Sequence, residues 1–391
     1  MPWLETSSMT ERKRFIDDTH RGLFSMTELC ARFGISRKTG YKWLDRYDTG
    51  GRPALADQSR RPHGHPAATS DRVVQRLLET RARFPRWSTG KVVTWLRRRY
   101  PRTAWPCRTT AYDLMQRAGV SRAPKRPGPT GGRPGAPGRA LTEPTTSNSV
   151  WTTDFKGKFL LGNATYCHPF TLRDGFSRFV LRCDGVPAES YPCTRPLFER
   201  AFAAFGLPEC IRSDNGTPFA STGLAGLSRL SVWWMQLGIR VERIEPGCPE
   251  QNGSHEQFHR VLKRDTTRPP GPTAPAQQRR FDAFRHEYNE ERPHDALGGA
   301  SPASLYTRSP RRLLRRLPVV EYPRYWEVRG ADSSGVITFH GRPLNVTRAL
   351  ANQDLGLEEI DDALWRVWFL TTPLGHFDER RWRWVPPDDM E

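Results

Sequence analysis

The sequence of 391 residues lacks any apolar run near the roughly 20 residues that a membrane-spanning helix requires. Its first residues are charged where a secretory signal peptide would be apolar. The seven cysteines are scattered, with no CxxC pair and no regular Cys/His spacing typical of a metal site. We therefore expect a cytoplasmic chain with no membrane partner, whose cysteines are reduced and mostly buried.

Acidic residues are also scarce relative to basic ones. The chain has 61 Lys and Arg against 42 Asp and Glu, which gives a formal net charge of +19 and a pI near 10.2. Such an excess of positive charge favours a polyanionic partner, with nucleic acid ahead of a membrane surface. The length is too great for one ordinary core, so we expect two to four domains.

The N-terminal segment 8–48 has the pattern of a helix-turn-helix. Its apolar positions Leu29, Cys30, Phe33, Ile35, Trp43 and Leu44 predict an inner face, with Gly34 at the turn. Ser36 is the predicted N-cap of the second helix, and Gly40 inside that helix is a local cost of about 1 kcal/mol. The predicted DNA contacts on the outer face are Arg37, Lys38, Tyr41 and Lys42. A plain helical hairpin is the alternative.

Two further segments precede the centre of the chain. A basic, Pro-rich arm at 50–66 includes Arg60 and Arg61, which we predict to contact DNA phosphates; a solvated linker is the alternative. The arm completes a predicted DNA-binding domain, 8–66. Residues 67–120 predict a second helical DNA-binding module, although a charged outer face also explains its surface arginines. Pro and Gly dominate 121–147, which we interpret as a linker.

The remaining sequence predicts two more domains, so the fold class is multidomain α/β. Alternating β patterns interleaved with helices begin near Trp151, and the predicted core spans 148–308. The tail, 318–391, carries short strands with a predicted hairpin at 332–335, and suggests a small β-barrel-like domain. DNA binding, assembly or packing against the core are all open roles for this tail.

Three acidic residues occupy positions from which they can converge. Asp154 lies on a predicted strand, Asp214 lies where an apolar strand ends in an Asn-Gly turn, and Glu256 lies on the first turns of a helix. A single Asp in a basic protein is usually a surface ion pair. Three carboxylates at one sheet edge repel one another and need cations, and Mg²⁺ or Mn²⁺ prefers such hard oxygen ligands. Two ions about 3.5 to 4 Å apart can activate an attacking oxygen and stabilise a leaving one in phosphodiester chemistry.

The core sequence resembles the ribonuclease H-like, mixed-sheet catalytic domain of retroviral integrases and of integrase-type bacterial insertion-sequence transposases. The matching segments are WTTDFKGKF, FTLRDGFSRF, IRSDNGTPFAS, PEQNGSHEQFHRVLK and YNEERPHDAL followed by SPASLY. The resemblance implies a DDE triad of Asp154, Asp214 and Glu256, with Asp154 bridging two metal ions. The chain lacks the His and Cys pairs of the retroviral zinc module, and this absence favours the bacterial branch and a nucleoid-associated protein.

The choice of glutamate follows from the motif. Glu250 has the spacing from Asp214 for which the family is known, but the family glutamate stands three residues after a glycine, as Glu256 stands after Gly253. Extra residues in the loop before the helix cost little loop-closure entropy, whereas moving the glutamate off the helix would remove a ligand from the metal site. We therefore choose Glu256.

Other residues near the triad have predicted roles. His259 and Lys263 follow Glu256 by three and seven residues, so we predict that they share its helix face and contact DNA; the resemblance implies that role for a lysine at 263. Asn215 and Gly216 are predicted to shape the turn that presents Asp214.

Three residues are assigned away from the metal site. Asp174 is interpreted as an internal hydrogen-bond acceptor or a partner of Arg178, outside the metal site. Arg292 and His294 are open between DNA contact and packing.

These features predict a transposase that binds the ends of a mobile element, nicks them and joins each freed 3′-hydroxyl to target DNA. Joining two ends together predicts a homodimer or larger assembly on DNA. The alternatives are a DNA-binding regulator without catalysis and a ribonuclease H-type nuclease that hydrolyses without joining.

Overall fold

The computed structural model describes residues 6–58, 68–120, 141–245, 248, 251, 253–314 and 316–385. The chain divides into two compact units, 1–70 and 71–391. None of the described helices is long and apolar enough to cross a membrane. All seven cysteines are free, and five of them are buried, as predicted.

The first unit is a three-helix bundle built from α1 (Ser8–Arg21), α2 (Met26–Arg32) and α3 (Arg37–Gly50). Ser36 caps α3 by accepting the Thr39 N–H at 3.2 Å, as predicted. Gly34 takes a positive φ of 64° at the turn, where a residue with a Cβ is strained. The buried core consists of Phe15, Ile16, Leu29, Cys30, Trp43 and Leu55, so three of the six predicted inner-face residues are buried. The other three, Phe33, Ile35 and Leu44, are partly buried and pack against this core.

The second unit begins with another helical module, formed by α4 (Asp71–Arg83), α5 (Thr89–Arg99) and α6 (Arg108–Arg117). Ser88 caps α5 by accepting the Lys91 N–H. The module has its own buried cluster, which consists of Leu77, Phe84, Trp87, Val92, Val93, Leu96, Ala111 and Met115. Of the predicted linker 121–147, only residues 141–147 lie within the described part of the chain.

A mixed sheet forms the centre of the second unit. Its strands are β1 (Val150–Phe155), β2 (Phe159–Leu160), β3 (Tyr166–Asp174), β4 (Val180–Val186), β5 (Cys210–Ser213) and β6 (Arg240–Arg243). They follow the order β2-β3-β1-β5-β6, with β4 also paired to β3. The pairs β1-β5 and β5-β6 are parallel, and the pairs of β3 with β1, β2 and β4 are antiparallel. This confirms the predicted mixed sheet.

Helices cover the sheet through two hydrophobic clusters. The helices are α7 (Tyr191–Phe205), α8 (Arg229–Gln236), α9 (Gly253–Thr266) and α10 (Ala274–His286), and a π-helical turn, Glu287–Glu291, follows α10. One cluster joins α7 and α8 to Leu181 of β4, and the other joins α9 and α10 to Val180 of the same strand. Because successive strand residues point to opposite faces, the two helix pairs cover opposite faces of the sheet.

The C-terminal part of the unit contains two antiparallel sheets. Its strands are β7 (Glu327–Gly330), β8 (Val336–Phe339), β9 (Arg342–Asn345), β10 (Asp354–Asp361), β11 (Leu364–Phe369), β12 (Thr372–Asp378) and β13 (Arg383–Val385). The five-stranded sheet has the order β13-β12-β11-β10-β7, and β8 pairs with β9. Among the described strands, the ends of this five-stranded order are not paired to each other, so the barrel is not confirmed.

Two details of the C-terminal strands differ from the sequence-based expectation. The turn at 332–335 links β7 and β8, which belong to different sheets, so the predicted hairpin there is wrong. Asp332 closes this turn by accepting the N–H groups of Ser334 and Val336. The C-terminal core also includes Leu227 and Val232, so this part packs against the α8 region, which was one of the three open roles.

Candidate metal centre and DNA-binding surfaces

Two of the predicted ligands stand on neighbouring parallel strands. Asp154 is the last residue but one of β1, and Asp214 directly follows β5. The parallel register pairs Val150 with Cys210 and Thr152 with Arg212. Continued by two residues, this register places Asp154 level with Asp214 on one face, where parallel strands are separated by about 4.8 Å. The sheet therefore places these two residues at the same edge. Among the described residues, the group of possible metal ligands whose atoms lie within 4.8 Å of one another includes Asp154 but neither Asp214 nor Glu256, so the shared metal centre of the three carboxylates stays a prediction.

One carboxylate oxygen of Asp214, Oδ1, is buried without a hydrogen-bond donor among the described residues. Burial raises the pKa of Asp214, the backbone N–H of Gly216 opposes this rise, and the negative charge of Glu189 adds to it. A buried carboxylate oxygen without a donor is costly unless an ion or a proton meets it. The donor chemistry at this position fits a divalent metal ion.

The turn after β5 holds Asp214 in place. Asn215 donates its side-chain N–H to the Ile244 carbonyl at 2.6 Å. A Cβ on Gly216 would lie 3.0 Å from Asp214 Oδ2, so a larger residue there would press on the carboxylate. Both residues shape the turn, in line with the structural role predicted for them.

Glu256 lies on the first turn of α9 and is exposed. The preceding residue, His255, anchors this turn to the sheet because its Nδ1 lies 3.1 Å from the Thr152 hydroxyl of β1. The helix carrying Glu256 therefore begins beside the strand carrying Asp154. Glu250, the alternative third ligand, lies outside the described residues, so the choice between the two glutamates stays a prediction.

A pair of buried histidines on α9 completes the surroundings of Asp154. His255 and His259 are 2% and 3% exposed, and each Nε2 lies 2.8 Å from the hydroxyl of Thr171. His259 Nδ1 lies 3.6 Å from Asp154 Oδ2. Nitrogen and oxygen atoms of Asp154, His255 and His259 lie within 4.8 Å of one another, so this group can hold a metal ion. Sequence reasoning missed this group, although the two histidines are separated by one helical turn.

His259 corrects the prediction that it faces DNA together with Lys263. The buried side of α9 is formed by His255, Phe258, His259, Leu262 and Thr266. Glu256, Arg260 and Lys263 are exposed. Because they are spaced by four and then three residues, they lie on one face of α9. Lys263 is exposed on this face, and its contact with DNA stays a prediction. His259 is buried, whereas Arg260, which the sequence analysis did not select, is exposed.

Burial, together with nearby positive charges, lowers the pKa of both histidines. Burial lowers the pKa of His259 to about 3, with further lowering by the positive charges of Lys156 and Arg173. Burial, His259 and Arg173 likewise lower the pKa of His255. Arg173 itself is 2% exposed, donates to the Ser254 carbonyl at 3.0 Å and stacks on the Phe258 ring at 4.7 Å. It fixes the beginning of α9 against β3.

The remaining assigned residues have structural surroundings. Asp174 is fully buried and accepts the N–H groups of Asn148 and Ser177, each at 2.8 Å, as predicted for an internal acceptor. Arg292 is 4% exposed, donates to Asp265 at 3.3 Å and packs on Tyr288. The ring of His294 packs against Tyr288 at 4.5 Å. Arg292 and His294 therefore pack behind the core.

The predicted DNA-contacting residues of the first unit lie on one exposed surface. Arg37, Lys38, Tyr41 and Lys42 are all exposed on α3, and Tyr41 is 50% exposed. Next to this surface, the ring of Trp43 has three cationic side chains 3.9 to 5.0 Å from its centre, those of Arg12, Lys42 and Arg46. Arg60 and Arg61 lie outside the described residues.

Family models match both halves of this architecture. Two models described as integrase core domain match residues 144–249 and 237–302. A helix-turn-helix domain model matches residues 11–63, and a homeodomain-like domain model matches residues 39–115. The first unit therefore matches a helix-turn-helix domain, most of the α4–α6 module lies within the homeodomain-like match, and the mixed sheet lies within the integrase core matches.

Several relatives of the chain are proteins of bacterial insertion elements. The chain is 30% identical over 174 residues to the insertion element IS476 uncharacterized 39.2 kDa protein of Xanthomonas euvesicatoria, covering 44% of this chain and 48% of that protein. It is 29% identical over 166 residues to the insertion element IS407 uncharacterized 31.7 kDa protein of Burkholderia multivorans, covering 42% and 57%. It is 34% identical over 94 residues to a transposase InsD of Escherichia coli, covering 23% and 28%. The chain thus spans about half the length of the first two relatives.

Among solved structures, the HTLV-2 integrase catalytic core domain in complex with magnesium covers 42% of this chain and 100% of its own, at 16% identity and a TM-score of 0.32. The decisive matches are those of the family models and of the insertion-element proteins. The chain therefore combines helix-turn-helix sequence with an integrase core domain and is similar to insertion-element proteins, which confirms the resemblance predicted from its motifs.

Proposed function

We propose that this protein is a DDE transposase that binds the ends of a mobile element, nicks them and joins each freed 3′-hydroxyl to target DNA. The observation that carries the proposal is the pair Asp154 and Asp214, level on neighbouring parallel strands, with a buried Asp214 oxygen that lacks a donor within the described residues. A buried carboxylate oxygen without a donor is costly unless a cation or a proton meets it, and a divalent ion supplies that cation.

The ligand set proposed for the metal centre is Asp154, Asp214 and Glu256, holding two Mg²⁺ or Mn²⁺ ions. When bound, the ions supply activation of the attacking oxygen and stabilisation of the leaving oxygen in the displacement. The net charge of the chain, +19, does not replace them at Asp214, because its buried Oδ1 has no hydrogen-bond donor among the described residues.

The residues of the chain position the reacting groups. Gly216 and Asn215 fix the turn of Asp214, and the β1 strand fixes Asp154. The exposed side chains of Glu256, Arg260 and Lys263 on α9 form the face that meets the DNA end, with the two cations placed for phosphates.

Two displacements then follow at one site. In the first, a water oxygen bonds to phosphorus and the bond to the 3′ oxygen breaks, which leaves a 3′-hydroxyl. In the second, that 3′ oxygen bonds to a target phosphorus and displaces the target's own 3′ oxygen.

Recognition of the ends is assigned to the helix-turn-helix domains. The exposed residues Arg37, Lys38, Tyr41 and Lys42 of α3 form a basic surface that suits a major groove. Arg60 and Arg61 of the following arm are proposed to contact phosphates. Because two ends must be joined in one event, we propose that the active form is a homodimer or larger assembly on DNA.

Isosteric replacement of each ligand tests the proposal. Asp154→Asn, Asp214→Asn and Glu256→Gln are compared with the exposed control Glu359→Gln for binding and cleavage of a duplex that carries the flanking end of the element, with Mg²⁺ present. We expect each of the three variants to bind the end as the parent does and to lose cleavage by at least about 10³-fold, whereas the control cleaves normally.

Two further arms separate the alternatives. We expect Glu250→Gln to cleave the end normally. If Glu250→Gln lost cleavage and Glu256→Gln kept it, the third ligand would be Glu250. A pre-nicked end tests joining directly. Hydrolysis without joining would identify a nuclease, and end binding without any metal-dependent chemistry would leave a DNA-binding regulator.

A further inference from the structure

The side chain of His259 lies between Thr171 and Asp154. Its Nε2 is 2.8 Å from the Thr171 hydroxyl oxygen, and its Nδ1 is 3.6 Å from Asp154 Oδ2. The ring is 3% exposed, so its two nitrogens meet protein groups rather than bulk water. Each nitrogen therefore has one identifiable neighbour, and the protonation of the ring follows from them.

Thr171 fixes which nitrogen carries the proton. Its hydroxyl donates to the Asp154 carbonyl oxygen at 3.0 Å, an atom that can only accept. The single hydroxyl proton is thereby used, and the two lone pairs of the oxygen accept from His255 Nε2 and His259 Nε2. Since a neutral imidazole carries one N–H, His259 Nδ1 presents a lone pair to Asp154.

A lone pair facing a carboxylate oxygen gives no attraction unless a cation lies between them. Bonds of about 2.0 to 2.2 Å from a divalent ion to nitrogen and to oxygen reach across a gap of this size. The arrangement also matches that of a metal-binding histidine, whose second nitrogen donates to an oxygen that fixes the ring orientation. Here that oxygen is the Thr171 hydroxyl.

We propose that His259 Nδ1 is a nitrogen ligand of the ion held by Asp154, so that this centre favours a divalent first-row transition ion such as Mn²⁺ over Mg²⁺. The inference rests on the proposed function, in which Asp154 binds the ion. Imidazole nitrogen suits first-row transition ions, whereas Mg²⁺ strongly prefers oxygen. The mixed nitrogen and oxygen ligand set therefore sets the metal preference of the centre.

His255 supplies a matched comparison on the same helix. Its Nε2 meets Thr171 at 2.8 Å, and its Nδ1 accepts from the Thr152 hydroxyl at 3.1 Å. Both nitrogens are thus engaged by hydroxyl groups, although the residue is as buried as His259. We assign His255 to positioning of the helix and Thr171, not to the metal.

Pulsed electron paramagnetic resonance of the full chain loaded with Mn²⁺ tests the proposal without DNA or turnover. We expect a nitrogen coupling to the Mn²⁺ electron spin in the parent protein that changes when histidine is labelled with ¹⁵N. His259→Asn offers an oxygen close to the position of Nδ1, so it should lose the coupling, lower the Mn²⁺ affinity roughly tenfold and leave Mg²⁺ affinity nearly unchanged. His255→Asn should keep the coupling.

The outcomes separate this inference from the proposed function. Mn²⁺ bound in an Asp154-dependent manner without any nitrogen coupling would overturn the inference and leave the carboxylate centre intact. Coupling lost in His255→Asn and kept in His259→Asn would also overturn it. If the parent protein and Asp154→Asn bind Mn²⁺ equally, the metal centre itself is wrong. The first case needs only the parent protein and Asp154→Asn, so it is decided even if a histidine variant fails to fold.

Discussion

Trp87 donates its indole N–H to Glu287 Oε1 at 2.7 Å, which joins the α4–α6 helical module to the turn that follows α10. Three contacts beside it tie the same module to the same stretch of the core: Arg83 to Glu291 at 2.6 Å, Lys91 to the Pro293 carbonyl at 2.7 Å and Arg98 to the Gly299 carbonyl at 2.8 Å. Residues 287–299, which include the YNEERPHDAL motif, thus form a surface on which this module docks.

Replacing Trp87 with Phe is expected to weaken that docking. Trp87 is 2% exposed and stacks on Phe84 with centroids 3.9 Å apart, so Phe keeps most of the packing but leaves Glu287 without its donor. We expect a loss of about 1–3 kcal/mol in the free energy of unfolding, measured in urea. Hydrogen exchange should quicken at Glu287–Glu291.

Trp105→Phe is the matched control for that measurement. Trp105 donates to the Tyr100 carbonyl at 3.1 Å, a bond within the module. This variant should leave exchange at Glu287–Glu291 unchanged. Equal exchange changes in both variants would show that docking does not depend on the Trp87 bond.

Lys91 predicts a pH dependence of stability. Burial lowers the pKa of Lys91 to about 8, and the positive charge of Arg292 adds to this. Because its folded pKa lies below the unfolded value, the unfolded chain binds more protons between pH 8 and about 10.5, and stability rises with pH across that window. The gain is expected to be about 1 kcal/mol after screening by solvent.

The measurement compares urea unfolding of the parent protein and Lys91→Met from pH 7 to pH 10. Other groups titrate in both proteins, so the difference between the two curves isolates Lys91. The rise should be smaller in the variant. Parallel curves would mean that Lys91 does not lose charge in this window.

Local signals account for what the sequence predicted well. The Ser36 cap and the Gly34 turn depend on residues within one or two turns of each other, and both were predicted at the right positions. Asp154 and Asp214 were predicted because a strand pattern precedes each of them.

His259 was misplaced because its environment is not local. Its partners Thr171 and Asp154 precede it in the sequence by 88 and 105 residues. Only the folded sheet brings them beneath α9. A helical pattern containing Phe258 and Leu262 allows a neighbouring histidine to face either side. The hairpin predicted at 332–335 was wrong for a similar reason. The strand before this turn, β7, pairs with the distant β10 and not with the strand that follows the turn.

Gly40→Ala tests the packing of the first unit. An added Cβ would lie 2.7 Å from Cys30 Sγ and 3.0 Å from the Phe15 ring, so overlap outweighs the helix propensity gained from alanine. We expect a loss of about 1–3 kcal/mol, measured by thermal unfolding of the full chain. The double variant with Cys30→Ala removes the closest atom and should recover part of the lost stability. If no stability were recovered, overlap with Cys30 Sγ would not be the cause of the loss.

The exposed surface of α3 predicts a salt-dependent contact with DNA. Lys38 is exposed on the first turn of α3, where a cation can neutralise a phosphate without disturbing the buried Trp43. In Lys38→Gln, the plot of log affinity against log salt for a duplex carrying the element end should lose about 0.9 from its slope, because one fewer counterion is released. Arg21, on α1, is exposed and paired with Asp18 at 3.2 Å, so Arg21→Gln should leave the slope unchanged. An equal change of slope in both variants would indicate diffuse attraction by the charge of the whole unit and would remove α3 from the assigned DNA-contacting surface.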